Sequence, residues 1–171
     1  KLLREAGAEK AQCRIGRYKK HEMNIEAGEI SLFRTTSDIS LSLSAIKEGR
    51  KGSKALNKMD EAIIKESVQD VIEMADGSEP DTANDIAKWQ EPAEFKRGDE
   101  NPDKEVMYFR LKEFMDDVKR LYPKVILREA FLDFKHSTGC FANSNGVNFK
   151  YSKGVYGFEL MISSKDGEKT S

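Results

Sequence analysis

The sequence predicts an α+β protein built from two small units, each an antiparallel sheet with a helix, joined by a proline-rich charged segment. Two apolar stripes with helical spacing indicate the helices, and several stretches of alternating apolar and polar residues indicate the strands. Prolines and charged residues are concentrated between the two stripes. We therefore predict an N-terminal α+β domain over residues 1–77, a linker over 78–103, and the start of a central α+β domain, truncated in this chain, over 104–171.

The residues before position 39 predict the end of a helix followed by sheet. Good helix formers begin at Leu2 and give way to the helix-ending sequence Ala6-Gly7-Ala8. Strand patterns follow over Ala11–Tyr18, around Met23 and Ile25, and around Ile30 and Leu32, with a tight turn at Ala27-Gly28. We expect three or four antiparallel strands in this part of the chain.

The best-defined stretch, Ile39–Ala75, predicts a hairpin with a helix laid across its sheet. Apolar residues alternate with serines at its start, which is typical of a strand with one buried face. A turn at Lys47–Arg50 leads to a short strand over Lys51–Leu56, and Asn57 is placed to cap the helix. The apolar face of that helix comprises Ile63, Ile64, Val68, Val71, Ile72 and Ala75.

The segment that follows is predicted to be a linker or an irregular excursion. Gly77 ends the helix, and prolines and charges then dominate up to Asp103. Trp89 and Phe95 are its large aromatic residues. Because isolated aromatic side chains normally pack, we expect both to hold the segment against a domain surface rather than to form a ligand site.

The second half predicts one helix and then an antiparallel meander. The helix spans Asp103–Tyr122, with Met107, Leu111 and Phe114 on its apolar face, and Pro123 ends it. The meander comprises a strand over Val125–Phe134, a turn at Ser137-Thr138-Gly139, a return at Cys140–Ala142, a turn at Asn143–Gly146, and strands over Val147–Tyr151 and Tyr156–Ile162.

The composition excludes several classes of partner. The chain has 171 residues, of which 38% are hydrophobic, which is enough for a packed core. Its 29 basic residues nearly cancel its 30 acidic residues, so no global field favours nucleic acid or an anionic membrane. Cys13 and Cys140 form neither a disulfide framework nor a CxxC pair, and we expect a reduced, cytoplasmic protein.

No stretch of the sequence predicts a membrane span or a signal peptide, because charges interrupt every apolar run. Two features indicate a piece of a longer protein. The chain begins at Lys1 without a methionine, and it stops at Ser171 just after an Asp166-Gly167 turn, where a hairpin loses its return strand.

The sharpest candidate for chemistry is His21-Glu22-Met23-Asn24-Ile25-Glu26, which is similar to a zinc protease motif with glutamate in place of the second histidine. Such a motif needs a helix to bring its ligands onto one face, whereas this segment has a strand pattern that points residues 21 and 26 to opposite sides. A solvated strand face is the better interpretation. His136 is isolated, and Cys140 lies across a predicted chain reversal, so we expect no metal site there.

Other charged stretches also favour structural interpretations. Gly49–Ser53 lacks phosphate-loop spacing, since two residues rather than four separate its glycines and a strand follows. Arg14, Arg17, Lys19 and Lys20 form a local basic cluster, which is weak evidence for nucleic-acid binding in a chain of neutral net charge. Asp116 and Asp117 are expected on the solvated face of the second helix. We assign no catalytic, cofactor-binding or metal-binding residue.

Several short phrases, in this order, resemble the TldD/PmbA family of zinc metalloproteases and modulators of DNA gyrase. They are Ala6–Glu9 before a strand, Gly28-Glu29-Ile30 at a hairpin, Gly49–Ser53 before the Met59–Ala75 helix, Glu79-Pro80-Asp81, Asn143–Gly146 and Ser164–Gly167. The resemblance covers nearly all of the chain. Arg50–Ser53 and Asn143–Gly146 are more similar to the PmbA subunit, also called TldE, than to the zinc-bearing subunit.

The resemblance implies a cytosolic metalloprotease of two related subunits that trims or degrades unfolded peptides. One subunit carries zinc through a His-Glu-three residues-His motif, which belongs to a family region beyond this chain, so that zinc is expected in the catalytic partner or the missing region. We expect the N-terminal portion of a non-catalytic PmbA/TldE-like subunit, inactive alone. Its expected partners are a homologous TldD-like subunit, or a second copy in a homodimer, and an unfolded peptide.

Two alternatives remain open. The chain could be the substrate-handling region of the zinc-bearing TldD-like metallopeptidase itself, or it could be a free-standing α+β binding module. In each peptide-handling interpretation an extended peptide could add to an exposed strand edge, because main-chain pairing recognises unfolded substrate with little regard for sequence.

Overall fold

A computed structural model describes residues 1–26 and 28–171 of the protein. In these residues the elements are α1 Leu2–Glu5, β1 Lys10–Glu26, β2 Glu29–Lys47, β3 Arg50–Leu56, α2 Glu61–Asp76, β4 Ala93–Arg97, α3 Lys104–Leu121, β5 Val125–Asn143, β6 Asn148–Asp166 and β7 Lys169–Thr170. The strands are hydrogen bonded in the order β3-β2-β1-β5-β6-β4, and β7 pairs with β6. The predicted α+β class with an antiparallel sheet is confirmed.

Four strands are much longer than the sequence predicted. β1 has 17 residues, and β2, β5 and β6 have 19 each. The prediction of three or four strands before the hairpin is therefore wrong, since β1 and β2 account for them. The predicted meander of short strands after α3 is wrong for the same reason. The predicted turn at Ala27-Gly28 includes Ala27, which lies outside the described residues, while Gly28 has a positive φ of 82°.

Gly139, which the sequence placed in a turn, and Gly154, which lies between two predicted strands, both lie within continuous strands. A Cβ atom at Gly139 in β5 would lie 2.8 Å from the Tyr151 hydroxyl oxygen, and one at Gly154 in β6 would lie 2.8 Å from the Phe134 ring. Glycine within a strand often marks such a close approach rather than a turn. The predicted turn at Ser137-Thr138-Gly139 is therefore wrong.

The β2–β3 hairpin agrees with its prediction. Its register runs from Lys47 opposite Arg50 to Leu41 opposite Leu56, and Gly49 in the turn has a φ of 74°. A second turn predicted at Asn143–Gly146 is also confirmed, because the Asn143 side-chain oxygen accepts hydrogen bonds from the backbone of Asn145 and Val147. After the predicted Asp166-Gly167 turn, the two residues of β7 pair with Lys165 and Asp166 of β6.

The described chain forms two compact units, each assembled from three separate segments. The first unit comprises Lys1–Tyr18, Asp38–Lys96 and Ser137–Ser152; the second unit comprises Lys19–Ser37, Arg97–His136 and Lys153–Ser171. Each unit therefore draws on both halves of the sequence. The predicted domain boundaries at residues 77 and 103 coincide with no boundary of these units and stay a prediction.

The first unit packs α2 against strand residues. Its core comprises Leu3, Ala8, Ala11, Leu41, Leu43, Ala45, Val68, Val71 and Ile72. Asp60, not Asn57, caps α2: its carboxylate accepts a hydrogen bond of 3.1 Å from the Ala62 amide. The helix begins later than predicted because the chain first places the half-buried Met59 against the core. Gly77 ends α2 as predicted.

The second unit packs α3 against its own part of the sheet. Its core comprises Met23, Ile25, Met107, Leu111, Ala130 and Phe134. The predicted helix is confirmed, with Asp103 as N-cap accepting from the Val106 amide at 3.0 Å and Tyr122 as C-cap. α3 buries only Met107 and Leu111, so most of its surface remains exposed.

The segment predicted as a linker is ordered against the first unit over residues 78–96. The Asp81 amide and the Asn84 side chain both donate to the Gly49 carbonyl, at 3.0 Å and 2.8 Å. Phe95 in β4 contacts Phe149 edge to face, with ring centroids 5.6 Å apart, and Trp89 lies beside Gly146. Both aromatic side chains thus contact the unit surface as expected.

None of the helices among the described residues combines the length and the hydropathy needed to cross a membrane.

Candidate functional site

The most unusual polar site of the described chain lies on β1 in the second unit. The Glu22 side chain is only 5% exposed, and it forms ion pairs with Lys20 and with Arg34, whose Nη2 atom lies 2.6 Å from a Glu22 carboxylate oxygen. Lys20 also lies 3.4 Å from an Asp133 carboxylate oxygen. We call Lys20, Glu22, Arg34 and Asp133 the charged cluster.

The electrostatics of the charged cluster favour a structural role. The hydrogen bond from Lys20 lowers the pKa of Glu22, and the same hydrogen bond raises the pKa of Lys20. Both groups therefore stay ionised at neutral pH, which suits a stable ion pair rather than proton transfer. Because β1 lies between β2 and β5, the charged cluster links three neighbouring strands.

The prediction that His21 and Glu22 lie on a solvated strand face is wrong. His21 and Glu22 are both buried. Because neighbouring residues of a strand point to opposite faces, both faces of β1 are covered here. His21 Nδ1 lies 2.9 Å from the Thr35 hydroxyl oxygen. Burial lowers the pKa of His21, and the nearby Lys104 and Lys19 lower it further.

The metal-binding candidates do not come together in the described residues. Nowhere in residues 1–26 and 28–171 do three His, Cys, Asp or Glu side chains form a group that could hold a metal ion. His136 and Cys140 are both in β5, four residues apart on one continuous strand rather than across a reversal. The assignment of zinc to a partner or to a missing region stays a prediction.

The structure brings together two cysteines that are distant in sequence. Ser144 and Ala11 exchange two hydrogen bonds, of 2.7 Å and 3.0 Å, which pairs the start of β1 with the end of β5. This pairing places Cys13 and Cys140 on adjacent strands as free thiols. Burial raises the pKa of Cys13, and Cys140 raises it further, so the Cys13 thiol is protonated at neutral pH.

The other charged stretches have structural partners. Gly49–Ser53 forms the β2–β3 turn and the start of β3, with no helix after it, so the phosphate-loop geometry is absent from this stretch. In the predicted basic cluster, Arg14 lies over the Tyr151 ring at 5.6 Å. On α3, Asp116 is exposed and Asp117 pairs with Arg120.

Each unit contains an open groove. The groove of the first unit has a volume of about 270 Å³ and lies beside Leu3, Cys13, Leu43 and Val68. The groove of the second unit has a volume of about 840 Å³ and lies between the C-terminal half of α3, the start of β5 and Met161 of β6. The larger groove was not predicted, since it forms between three separate stretches of the chain: Glu26 and Gly28, residues 115–129, and Met161.

Comparison with known proteins identifies the fold. No protein-family model matches the chain, and no curated protein matches it. The chain is similar to the crystal structure of TldE from Thermococcus kodakarensis, with a TM-score of 0.77 and 18% sequence identity over 99% of this chain and 40% of that one.

Two further crystal structures share the fold. A candidate modulator of DNA gyrase from Bacteroides thetaiotaomicron matches with a TM-score of 0.71 and 14% identity, over 99% of this chain and 40% of that one. A second candidate modulator, from Thermotoga maritima, matches with a TM-score of 0.62 and 10% identity, over 99% and 39%. The chain spans about two fifths of the length of these proteins. The resemblance to TldD/PmbA proteins is thus confirmed at the level of the fold. Nearly all of this chain shares that fold with part of TldE.

Proposed function

We propose that this chain is a portion of a TldD/PmbA family protein and that it belongs to the non-catalytic PmbA/TldE kind of subunit. The observation that carries the proposal is the similarity to TldE, which extends over 99% of the chain with a TM-score of 0.77. The corresponding scores for the two candidate gyrase modulators are 0.71 and 0.62. The phrases at Arg50–Ser53 and Asn143–Gly146 support the same subunit.

In this proposal the protein acts in the cytoplasm as one half of a metallopeptidase that processes unfolded peptides. A homologous TldD-like subunit supplies the zinc and the general base, and this subunit helps to enclose the peptide. The charged cluster supports a structural rather than a catalytic role for this chain, because Glu22 is held as an ionised, paired carboxylate.

Zinc content and peptide cleavage of the intact protein test the proposal. Purified alone, the intact protein should contain no stoichiometric zinc by mass spectrometry and should leave an unfolded reporter peptide uncut. Mixed with a zinc-bearing TldD-like subunit, it should co-elute in size-exclusion chromatography, and cleavage should begin.

The alternatives give different results in the same experiment. Stoichiometric zinc and cleavage by the protein alone would assign it to the zinc-bearing subunit. No zinc and no association with a TldD-like subunit would leave an independent binding module. Either outcome contradicts the proposed role as a non-catalytic partner.

A further inference from the structure

The first unit contains another cleft, on the face of its sheet that points away from α2. The cleft has a volume of about 290 Å³ and is lined by residues of β1, β2, β3 and β5. On β2, Leu41, Leu43 and Ala45 belong to the core that includes α2. Because side chains alternate along a strand, Ser42 and Ser44 point to the opposite face, where the cleft lies.

Hydroxyl groups from two strands meet in this cleft. The β2–β3 register places Ser44 opposite Ser53, and Lys51 lies two residues before Ser53 on the same face of β3. The Ser44 hydroxyl donates to the Gly52 carbonyl at 3.3 Å. Ser42 and Ser53 are exposed, so their hydroxyls are available to donate to a bound molecule.

The charges of the cleft are not balanced. Its basic lining residues are Arg14, Lys51 and Lys54, and among the described residues that line it none is aspartate or glutamate. Lys54 pairs with Asp70, whereas Arg14 and Lys51 have no salt bridge within the part of the chain that the structure describes. Clefts lined by charges of one sign concentrate ions of the opposite sign.

We call Arg14, Ser42, Lys51 and Ser53 the cationic cleft.

An aromatic ring positions Arg14 beside the cationic cleft. The guanidinium carbon of Arg14 lies 5.6 Å from the centre of the Tyr151 ring. That ring lies across β5 and β1 where both strands have glycine. A Cβ atom at Gly139 would lie 2.8 Å from the Tyr151 hydroxyl oxygen, and one at Gly16 would lie 3.1 Å from it. A guanidinium held over a ring loses little freedom when it donates two parallel hydrogen bonds to an oxyanion.

We propose that the cationic cleft binds a small phosphate monoester, with the phosphoryl group between Arg14, Lys51 and the two serine hydroxyls. A phosphate monoester carries close to two negative charges at neutral pH and presents three acceptor oxygens, which match two cations and a set of donors. Phe141 supplies an apolar wall for the attached organic group. Binding of this kind uses strand side chains and needs no phosphate loop, and it is separate from the proposed role in a metallopeptidase.

The test measures binding of phenyl phosphate to the intact protein by isothermal titration calorimetry at constant ionic strength. Binding should be saturable, with a Kd of about 1 mM or lower. Benzoate keeps the ring but carries a single charge, so its affinity should be lower by about tenfold or more. Inorganic phosphate should compete with phenyl phosphate, because the phosphoryl group provides the main contacts.

Three matched variants locate the site. Arg14→Met and Lys51→Met each remove one cation of the cleft, and each should weaken binding of phenyl phosphate by about tenfold or more. Arg17→Met removes an equally exposed arginine of β1 that does not line the cleft. It should change the affinity by less than about twofold, because solvent and salt screen a charge on the other face of the strand. Circular dichroism verifies that each variant is folded.

The proposal is overturned if phenyl phosphate shows no saturable binding or if benzoate binds as tightly. It is also overturned if Arg17→Met weakens binding as much as Arg14→Met does, or if Lys51→Met binds phenyl phosphate as the unmodified protein does. Should Arg14→Met fail to fold, the comparison of Lys51→Met with Arg17→Met decides. None of these results affects the zinc and subunit-association test of the proposed function, so the two can fail separately.

Discussion

The two units of the molecule differ most in how much of their own apolar surface they bury. In the first unit α2 buries Ser67, Val68, Val71, Ile72 and Ala75, whereas in the second unit α3 buries only Met107 and Leu111. Of the large apolar side chains that are exposed in the described residues, fourteen lie in the second unit and four in the first. Among the described residues, the first unit therefore buries most of its large apolar side chains, while the second leaves many of them exposed.

The two cores should respond alike to the loss of a buried leucine, since each unit has a packed core of its own. Leu43 in the first unit and Leu111 in the second are both buried. Leu43→Ala and Leu111→Ala should each lower the free energy of unfolding by about 2–5 kcal/mol, because each leaves a cavity. Urea denaturation followed by circular dichroism measures the change.

A matched control for the core substitutions is Leu121→Ala, since Leu121 is an exposed leucine on the same helix as Leu111. It should change the free energy of unfolding by about 0.5 kcal/mol or less. If Leu111→Ala were as mild as this control, the second unit would lack a packed core and the comparison would fail.

The charged pairs of the two units should also differ. Glu22→Gln in the second unit leaves Lys20 and Arg34 without their buried partner, and it should lower the free energy of unfolding by about 1–3 kcal/mol. In the first unit Lys54 and Asp70 form an ion pair whose side chains are 33% and 32% exposed. Asp70→Asn should cost less than about 1 kcal/mol, because water screens that pair.

If urea denaturation gave equal losses of unfolding free energy for Glu22→Gln and Asp70→Asn, the burial of Glu22 would have no energetic consequence. The double variant Glu22→Gln with Arg34→Met distinguishes pairing from burial. It should be no less stable than Glu22→Gln alone, because the unpaired guanidinium has been removed.

The helix caps are the features that the two units share most closely. Asp60→Ala and Asp103→Ala each remove a carboxylate that accepts from a helix amide, at 3.1 Å and 3.0 Å. Each should cost about 1 kcal/mol in thermal or urea unfolding. Asn57→Ala tests the sequence prediction directly and should have no effect, since Asn57 lies outside the helix. A loss with Asn57→Ala comparable to that of Asp60→Ala would contradict the observed start of α2.

The smallest expected effect is a pH dependence confined to the second unit. Because the folded pKa of His21 lies below its ordinary value of 6.5, the unfolded chain binds more protons near that pH. The contribution of neutral, buried His21 to the free energy of unfolding is complete above pH 6.5. It is lost as the pH falls toward the folded pKa of His21. Unfolding free energies measured between about pH 7.5 and about pH 5.5 should therefore decrease on acidification.

His21→Gln should flatten this part of the pH profile, while His136→Gln, which keeps His21, should leave it in place. Lys104 and Lys19 are the charged groups whose proximity also disfavours protonation of His21. An unchanged slope in His21→Gln would show that the pH dependence arises elsewhere.

Local signals in the sequence predicted α2, α3 and two of the turns. The apolar stripes fixed α2 and α3, and the turn residues at Lys47–Arg50 and Asn143–Gly146 marked real chain reversals. The cap of α2 was misplaced because Asn57 and Asp60 are both good capping residues, and only the tertiary packing of Met59 decides between them.

Features that depend on distant residues could not be predicted in this way. The charged run that includes Lys20 and Glu22 has the pattern of a solvated strand face, and its burial depends on Arg34 and Asp133 in neighbouring strands. Gly139 has the pattern of a turn residue and Gly154 that of a break between strands, because only the approach of another strand or ring shows why glycine is needed there. The groove at Met161 also leaves no local pattern in the sequence.

The interleaved composition of the two units has a consequence for how the chain acquires its structure during synthesis. The first unit includes Ser137–Ser152, and the second includes Lys153–Ser171. A nascent chain that has emerged only as far as α2 therefore holds its core residues Leu43 and Val71 without the strand segment that completes their unit. We expect productive folding to wait until residues beyond 150 have left the ribosome, since non-local strand pairing must close long loops first.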